Sequence, residues 1–138
     1  MGWTDEERHA WAERFADRRI FVSVDGSHDV DVAETLASAM SRAVEPARVR
    51  FGVVHRDDRV AEALAGFRDD PRVSVDHASP DEPRTADRAR AEWFYDSEAY
   101  VLRIGGSVRF ADGWDTRLVE RLEAAGRARS VLTAPGPA

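Results

Sequence analysis

The sequence predicts an α/β fold with a mostly parallel sheet and flanking helices, on three observations. Short runs of β-branched and aromatic residues alternate with segments of helical period, which is the pattern of successive βαβ units. No apolar run reaches the roughly 20 residues that a membrane span needs. With 138 residues, of which 43% are hydrophobic and 33% charged, the chain has the length and balance of one globular domain.

The first predicted element is a helix over residues 5–16, because Thr4 and Glu7 have the spacing of a capping box. We expect this N-terminal helix, within residues 1–18, to precede a single compact unit formed by residues 19–138. Its aromatic side chains could cover a sheet edge or mediate dimerisation; they are Trp3, Trp11 and Phe15.

The strands are predicted from runs rich in valine, isoleucine and aromatic residues, and the helices from apolar stripes of helical period. The strands cover residues 19–24, 49–55, 73–75, 100–104 and 130–133. The expected inward residues are Val32, Leu36, Met40 and Val44 in a helix that begins near Asp31; Val60, Leu64 and Phe67 in a helix capped by Asp57 and Asp58; Ala89 and Trp93 in a helix over residues 85–96; and Trp114, Leu118, Leu122 and Ala125 in the last helix.

Composition excludes several classes of function. The net charge is −6, and an acidic surface repels a phosphate backbone, so we expect no nucleic-acid partner. All 20 basic residues are arginine, which excludes lysine Schiff bases and a phosphate-loop lysine. The absence of cysteine excludes disulfides and thiolate metal sites. We see no secretory signal, so the expected location is cytoplasmic, with no membrane partner.

Two segments qualify as ligand sites, because ligands of open α/β sheets bind beyond the carboxyl ends of the strands. The first follows the first strand and precedes a helix, and consists of Asp25, Gly26, Ser27, His28 and Asp29. Its glycine permits close backbone approach and its serine can form hydrogen bonds, but the same residues are also typical of a plain turn with a helix cap. The second segment, Gly105–Ser107, follows the fourth strand and lacks the lysine of a phosphate loop.

The remaining polar residues offer weaker candidates. His28 could act as a general base or contact a phosphate, and could equally be solvated. The other histidines, at positions 9, 55 and 77, have no ligand spacing, so no zinc site is predicted. The acidic pairs at 57–58 and 69–70 are interpreted as caps and turns. Arginines 84, 88 and 90 precede the fourth strand; Arg88 could neutralise a diphosphate or lie on a solvated helix face, and for Arg84 and Arg90 we favour the solvated face.

Several segments, in order, resemble the GlcNAc-transferase-like glycosyltransferase family, relatives of the hydroxyproline GlcNAc-transferases. They are residues 20–24 with the polar turn to Asp29, residues 49–54, Arg88-Ala89, residues 99–104, Val108-Arg109-Phe110, Gly113-Trp114-Asp115, and residues 131–135. The resemblance runs from about residue 19 to the end. It implies a GT-A fold, that is, the Rossmann-like nucleotide-binding half of such an enzyme.

The family's Asp-Ser-His metal motif falls on Gly105, Gly106 and Ser107 of this sequence. In the family that motif holds a divalent metal against the diphosphate of the nucleotide sugar. Glycine has no side chain and serine offers only a neutral hydroxyl, so no metal, neither manganese nor magnesium, and no other cofactor is expected here. The family's domain also continues beyond this chain's last residue, which suggests a fragment or a naturally shortened, degenerate copy.

Three functions remain open at this point. The first is a non-catalytic module that binds a nucleotide or nucleotide sugar through residues 25–29 and Arg88. The second is an active glycosyltransferase that moves a sugar to a hydroxyl acceptor, either with arginine in place of the metal or completed by a partner chain. The third is an interaction-only protein, acting as a homo-oligomer or as the subunit of another chain.

Overall fold

The computed structural model describes residues 4–6, 18–79, 81–83, 90–124 and 131–133. Its core is a five-stranded sheet in the order β3-β2-β1-β4-β5, with every neighbouring pair parallel. The strands are β1 Ile20–Ser27, β2 Val49–His55, β3 Val73–His77, β4 Tyr100–Gly105 and β5 Val131–Thr133. The predicted α/β class with a largely parallel sheet and flanking helices is confirmed.

One face of the sheet carries the main hydrophobic core. The helices are α1 Val32–Arg42, α2 Asp58–Ala63 and α3 Trp114–Ala124, with 3-10 turns at Pro46–Arg48 and Leu64–Phe67. Alternate strand residues such as Val22, Phe51 and Leu102 point to this face, because successive side chains of a strand alternate between the two sides. Buried residues of all three helices join the same cluster, among them Leu36 and Val60.

The opposite face is covered at its centre by the helical residues 90–92. Ala91 is buried there with Val54 and Ala78. Contact is so close that a β-carbon built on Gly52 would lie 2.5 Å from the carbonyl oxygen of Ala91 and 2.7 Å from Cζ of Phe21. Glycine is therefore required in the middle of β2, where any side chain would separate the helix from the sheet.

The helices α1 and α3 are joined by polar contacts as well as apolar packing. The indole Nε1 of Trp114 donates to the carbonyl of Ala39 over 2.8 Å. The carboxylate of Asp115 is buried and accepts from the backbone amides of Val44 and Glu45, just after α1 ends. The predicted inward positions Trp114, Leu118 and Leu122 are confirmed as buried.

Three local predictions are wrong, and each has a physical reason. The segment 25–29 is not wholly a turn, because β1 continues to Ser27 by pairing with the end of β2. Val44 is 63% exposed, since α1 ends at Arg42 before the stripe reaches it. Trp93 is 87% exposed, because the helix continues only to residue 92 and the chain then turns outward.

Other predictions for the fold are tested only in part. The helix boundary at Asp31 and the Asp57 cap are confirmed, the latter by a bond from the Arg59 amide to the Asp57 carboxylate. Most of the predicted N-terminal helix, Ala89, Ala125 and the arginines 84 and 88 lie outside the described residues. Within the described ranges, no helix is both long and apolar enough to cross a membrane.

Candidate functional site

The two segments singled out in the sequence meet in space. The strand order places β4 directly beside β1, so connections leave these two strands in opposite directions. The carboxyl ends of β1 and β4 are therefore a topological switch point, the place where open α/β sheets bind ligands. In the register of the two strands Asp25 lies opposite Gly105. Residues 25–29 and 105–107 therefore lie side by side at the switch point, as the two walls of a candidate site that we name the switch-point crevice.

Gly106 packs directly against Asp29. A β-carbon built on Gly106 would lie 3.0 Å from Cβ of Asp29, 3.4 Å from its Cγ and 3.3 Å from the carbonyl oxygen of Asp25. The same construction on Gly105 meets no atom within 4 Å. A side chain at position 106 would thus be tightly packed against Asp29, whereas one at position 105 would enter open space.

Thr35 joins the second wall to the first turn of α1. Its side chain is fully buried, and its hydroxyl donates to the carbonyl of Gly106 over 2.8 Å. The same oxygen accepts from the amide of Val108 at 3.1 Å. One buried hydroxyl therefore satisfies two backbone groups that the turn after β4 leaves without strand partners.

Residues 25–29 are held by a set of local hydrogen bonds. The hydroxyl of Ser27 donates to Oδ1 of Asp25 over 2.7 Å, and the amide of Asp29 donates to the carbonyl of Gly26 over 2.7 Å. The amide of Asp31 donates to Oδ1 of Asp29 at 2.9 Å. Ser27 has a φ of 38°, in the left-handed region, where the register between β1 and β2 also shifts. The strand thus ends in a tight, polar turn that presents two carboxylates.

His28 points from this turn towards the start of α2. Its Nδ1 lies 3.4 Å from Oδ2 of Asp57, and the side chain is 53% exposed. Asp57 also accepts three side-chain hydrogen bonds from Arg59. The Arg59 guanidinium holds the pKa of the Asp57 carboxyl well below its usual range, with a smaller contribution from His28. Asp57 is therefore ionised at neutral pH and serves as a helix cap, in agreement with the sequence interpretation.

Arg109 lies beside the first turn of α1, near the second wall of the crevice. Its Nη2 is 2.6 Å from Oε2 of Glu34, and its Nη1 donates to the Thr35 hydroxyl at 3.4 Å. Both charged side chains remain open to solvent, 53% for Arg109 and 69% for Glu34. The sequence places Arg109 in a segment that resembles the family but predicts no role for it in the site.

A pair of stacked histidines at the ends of β2 and β3 was also missed. His55 and His77 are partners in the strand register, and their ring centroids lie 4.9 Å apart at 28°. His55 is buried, and its Nδ1 has no hydrogen-bond partner among the residues that the structure describes. Burial lowers the pKa of His55, His77 lowers it further, and Asp57 and Asp58 act in the opposite direction. The sequence offered one signal: His55 is the last residue of a predicted strand. His77 lies two residues beyond the predicted strand 73–75 and ends β3 only in the structure.

The other candidates take structural roles. Arg90 forms ion pairs with Asp76 at 3.1 Å and Glu82 at 2.6 Å, which ties the loop after β3 to the helix at residue 90. Asp70 accepts two side-chain hydrogen bonds from Arg72, which lower the pKa of its carboxyl. Arg88 lies outside the residues that the structure describes, so its predicted contact with a diphosphate stays a prediction.

The residues at the metal-motif positions do not fit a divalent cation. Gly105 and Gly106 offer backbone atoms only, the carbonyl of Gly106 is already engaged by Thr35, and Ser107 offers a neutral hydroxyl. Across the described parts of the chain, no three histidine, aspartate or glutamate side chains are grouped so that they could hold a metal ion.

The fold defines an α/β protein of the Rossmann-like kind, whose parallel sheet has its switch point between β1 and β4. Comparison with protein-family models identifies residues 67–137 with the Glycosyltransferase (GlcNAc) family. That match covers about half of the chain and includes the second wall of the crevice, and the chain belongs to this family. A search of curated proteins finds no match, and a search of solved structures finds none.

Proposed function

We propose that this glycosyltransferase-family domain binds the nucleotide part of a nucleotide sugar in the switch-point crevice, as a GT-A-like module that does not catalyse transfer. The single observation that carries the proposal is the packing of Gly106 against Asp29. A side chain at position 106 would be tight against Asp29, at the place that the resemblance assigns to the family's metal motif. The two segments offer a ligand carboxylates, backbone groups and hydroxyls instead.

The first wall supports recognition of the nucleoside. Asp25 and Asp29 each have one oxygen engaged by a neighbour, at 2.7 and 2.9 Å, which fixes the orientation of the carboxylate. A carboxylate at the end of a strand of this kind of sheet accepts hydrogen bonds from ribose hydroxyls. Ser27 and His28 complete the wall with a hydroxyl and an imidazole. Gly26 faces β2, where a β-carbon would lie 3.0 Å from the carbonyl oxygen of Val54, so the close approach that it permits is to that strand.

The second wall supports the absence of transfer chemistry. Departure of a nucleoside diphosphate builds negative charge on the leaving oxygens, and enzymes offset that charge with a metal ion or with fixed cationic groups. Gly105, Gly106 and Ser107 bring no charge of either kind. An active transferase would need a cation from elsewhere in the chain or from a partner chain, and Arg109 at the crevice is the specific observation that favours this second candidate.

Thermal unfolding with added ligand tests the proposal. UDP, UDP-sugars and GDP-sugars, each with and without manganese, should be compared, because a ligand that binds the native state alone raises the unfolding temperature. We expect stabilisation by a nucleotide that is independent of manganese. Stabilisation that requires manganese would contradict binding without a metal. The absence of a response to every donor would contradict nucleotide binding and favour the interaction-only function.

A pair of variants links any stabilisation to the crevice. Asp29→Asn keeps an oxygen for the Asp31 amide but removes the charge of the ribose acceptor, so the nucleotide-induced shift should fall. Asp112→Asn is the matched control, since Asp112 is 81% exposed and pairs with Arg42 at the far end of α1. Equal shifts in the two variants would contradict binding at the crevice.

A further inference from the structure

We propose that Arg109 is the residue that neutralises the diphosphate of a nucleotide bound in the switch-point crevice, and that Glu34 holds Arg109 in place until the phosphate displaces it. The inference rests on the proposed function and deepens it. It concerns only the binding of the diphosphate, which a non-catalytic module and an active transferase would share, and it gives to Arg109 the contact that the sequence predicts for Arg88.

A diphosphate bound in the switch-point crevice needs a nearby cation to balance its negative charge. Asp25 and Asp29 stand on the first wall of the crevice, and their carboxylates repel an anionic ligand. The chain contains no lysine, so arginine is the cationic side chain that remains charged at every ordinary pH. A guanidinium can donate two parallel hydrogen bonds to phosphate oxygens, which suits it to a diphosphate.

The backbone that leads from the second wall to Arg109 is short and held by hydrogen bonds. Gly106 and Val108 are both fixed by the buried hydroxyl of Thr35, at 2.8 and 3.1 Å, so the backbone leading to Arg109 is held against the first turn of α1. The guanidinium itself is in contact with that turn through Glu34 and Thr35. Arg109 thus stands two residues after Ser107, and its guanidinium shares the Thr35 hydroxyl with the carbonyl of Gly106 in the second wall.

Glu34 keeps the guanidinium near the crevice without sequestering it. The pair is short, at 2.6 Å, but both side chains are more than half exposed, and such pairs contribute little net stability. A diphosphate carries more charge than one carboxylate and offers more acceptor oxygens, so it competes well for the same donors. Arginines elsewhere at this edge are engaged differently: Arg59 is bound to Asp57, and Arg56 donates to the carbonyls of Ser79 and Glu82.

Calorimetric titration of the full chain with UDP and with uridine tests the role of Arg109. Arg109→Gln should weaken UDP binding by roughly 10-fold or more, the effect of losing a charge-assisted hydrogen bond, and should leave uridine binding unchanged. Arg109→Lys keeps the charge but not the bidentate donors, so it should fall between the wild type and the glutamine variant.

Arg42→Gln is the matched control. Arg42 is 51% exposed and pairs with Asp112 at 3.0 Å, at the opposite end of the same helix. It matches Arg109 in exposure and ion pairing but is remote from the crevice, so its substitution should leave both affinities unchanged. Circular dichroism melting of each variant shows that it has folded.

Glu34→Gln should change the affinity for UDP in the opposite direction from Arg109→Gln. Removal of the competing carboxylate should strengthen UDP binding by roughly two- to five-fold, the value of an exposed ion pair, again without an effect on uridine. Equal UDP affinities for the wild type and Arg109→Gln would overturn the inference while the proposed function stands. Loss of UDP affinity in Arg88→Gln but not in Arg109→Gln would do the same. A wild type that binds neither ligand would overturn both.

Discussion

Asp29 fills the space beside Gly106 that a side chain at position 106 would need. The two residues come from the ends of neighbouring strands, and a β-carbon on Gly106 would be 3.0 Å from that of Asp29. Such a separation forces one of the two to move, because real β-carbons rarely approach so closely. The glycine is thus fixed by its neighbour across the crevice, independently of any role in chemistry.

Gly106→Ala should therefore destabilise the protein, by about 1–3 kcal/mol, since it overpacks a tight contact with backbone on one side. Gly105→Ala is the control, because its β-carbon would enter open space, and it should change the free energy of unfolding by less than about 0.5 kcal/mol. Urea unfolding of the two variants measures the difference. Equal effects would show that the Asp29 contact is not what restricts position 106.

Thr35→Val should cost about 1–3 kcal/mol of unfolding free energy, although the two side chains have nearly the same shape. The substitution leaves the carbonyl of Gly106 and the amide of Val108 without the hydroxyl that joins them, at a site where Thr35 is fully buried. Thr35→Ser retains the hydroxyl and should recover part of the loss. If valine and serine variants are equally stable in denaturant titrations, the hydroxyl does not hold this wall.

The pKa of His55 gives the stability a pH dependence of known sign. Because burial and His77 lower this pKa in the folded state below its ordinary value of 6.5, the unfolded chain binds the proton more readily. The contribution of His55 to the free energy of unfolding is therefore fully present above pH 6.5, and it is lost as the pH falls below that value.

His55→Gln removes that titration, so the free energy of unfolding should fall less steeply on acidification than it does in the wild type. Urea unfolding over the range of about pH 5 to 8 measures the slope. The slope is the readout, because the substitution also changes packing at every pH. Identical slopes for the two proteins would contradict a lowered pKa.

Tyr100 should ionise at a higher pH than an ordinary tyrosine. Its side chain is fully buried, and burial, with help from Glu123, raises the pKa of its phenol from 10.0 to about 12. A raised pKa means that its contribution to stability is complete below pH 10 and is lost as the pH rises through 12.

The chain has two tyrosines, so Tyr95→Phe leaves Tyr100 as the single chromophore of this kind. Tyrosinate absorbance in a pH titration, with circular dichroism followed in parallel, should show ionisation near 12 while the fold persists. Ionisation near 10.0 in the folded protein would contradict the burial argument.

The sequence predicted the two segments of the candidate site but not the contacts between them. Both walls, residues 25–29 and 105–107, were recognisable because polar and glycine residues directly follow strands of β-branched residues. Their adjacency depends on β4 pairing with β1, which no local pattern encodes. The roles of Thr35 and Arg109 were missed for the same reason, since Thr35 and Gly106 are 71 positions apart.

By itself the sequence determined which segments form strands and helices, wherever burial imposes a period on the residues. Val49–His55 was predicted to the residue, and Leu36 and Trp114 lie inside as expected. The tertiary structure alone decided that β1 continues through Asp25 to Ser27, because pairing with β2 holds polar residues in a strand that their composition does not favour. It alone also decided that Asp29 meets Gly106, since a contact between distant segments follows from strand order and not from local period.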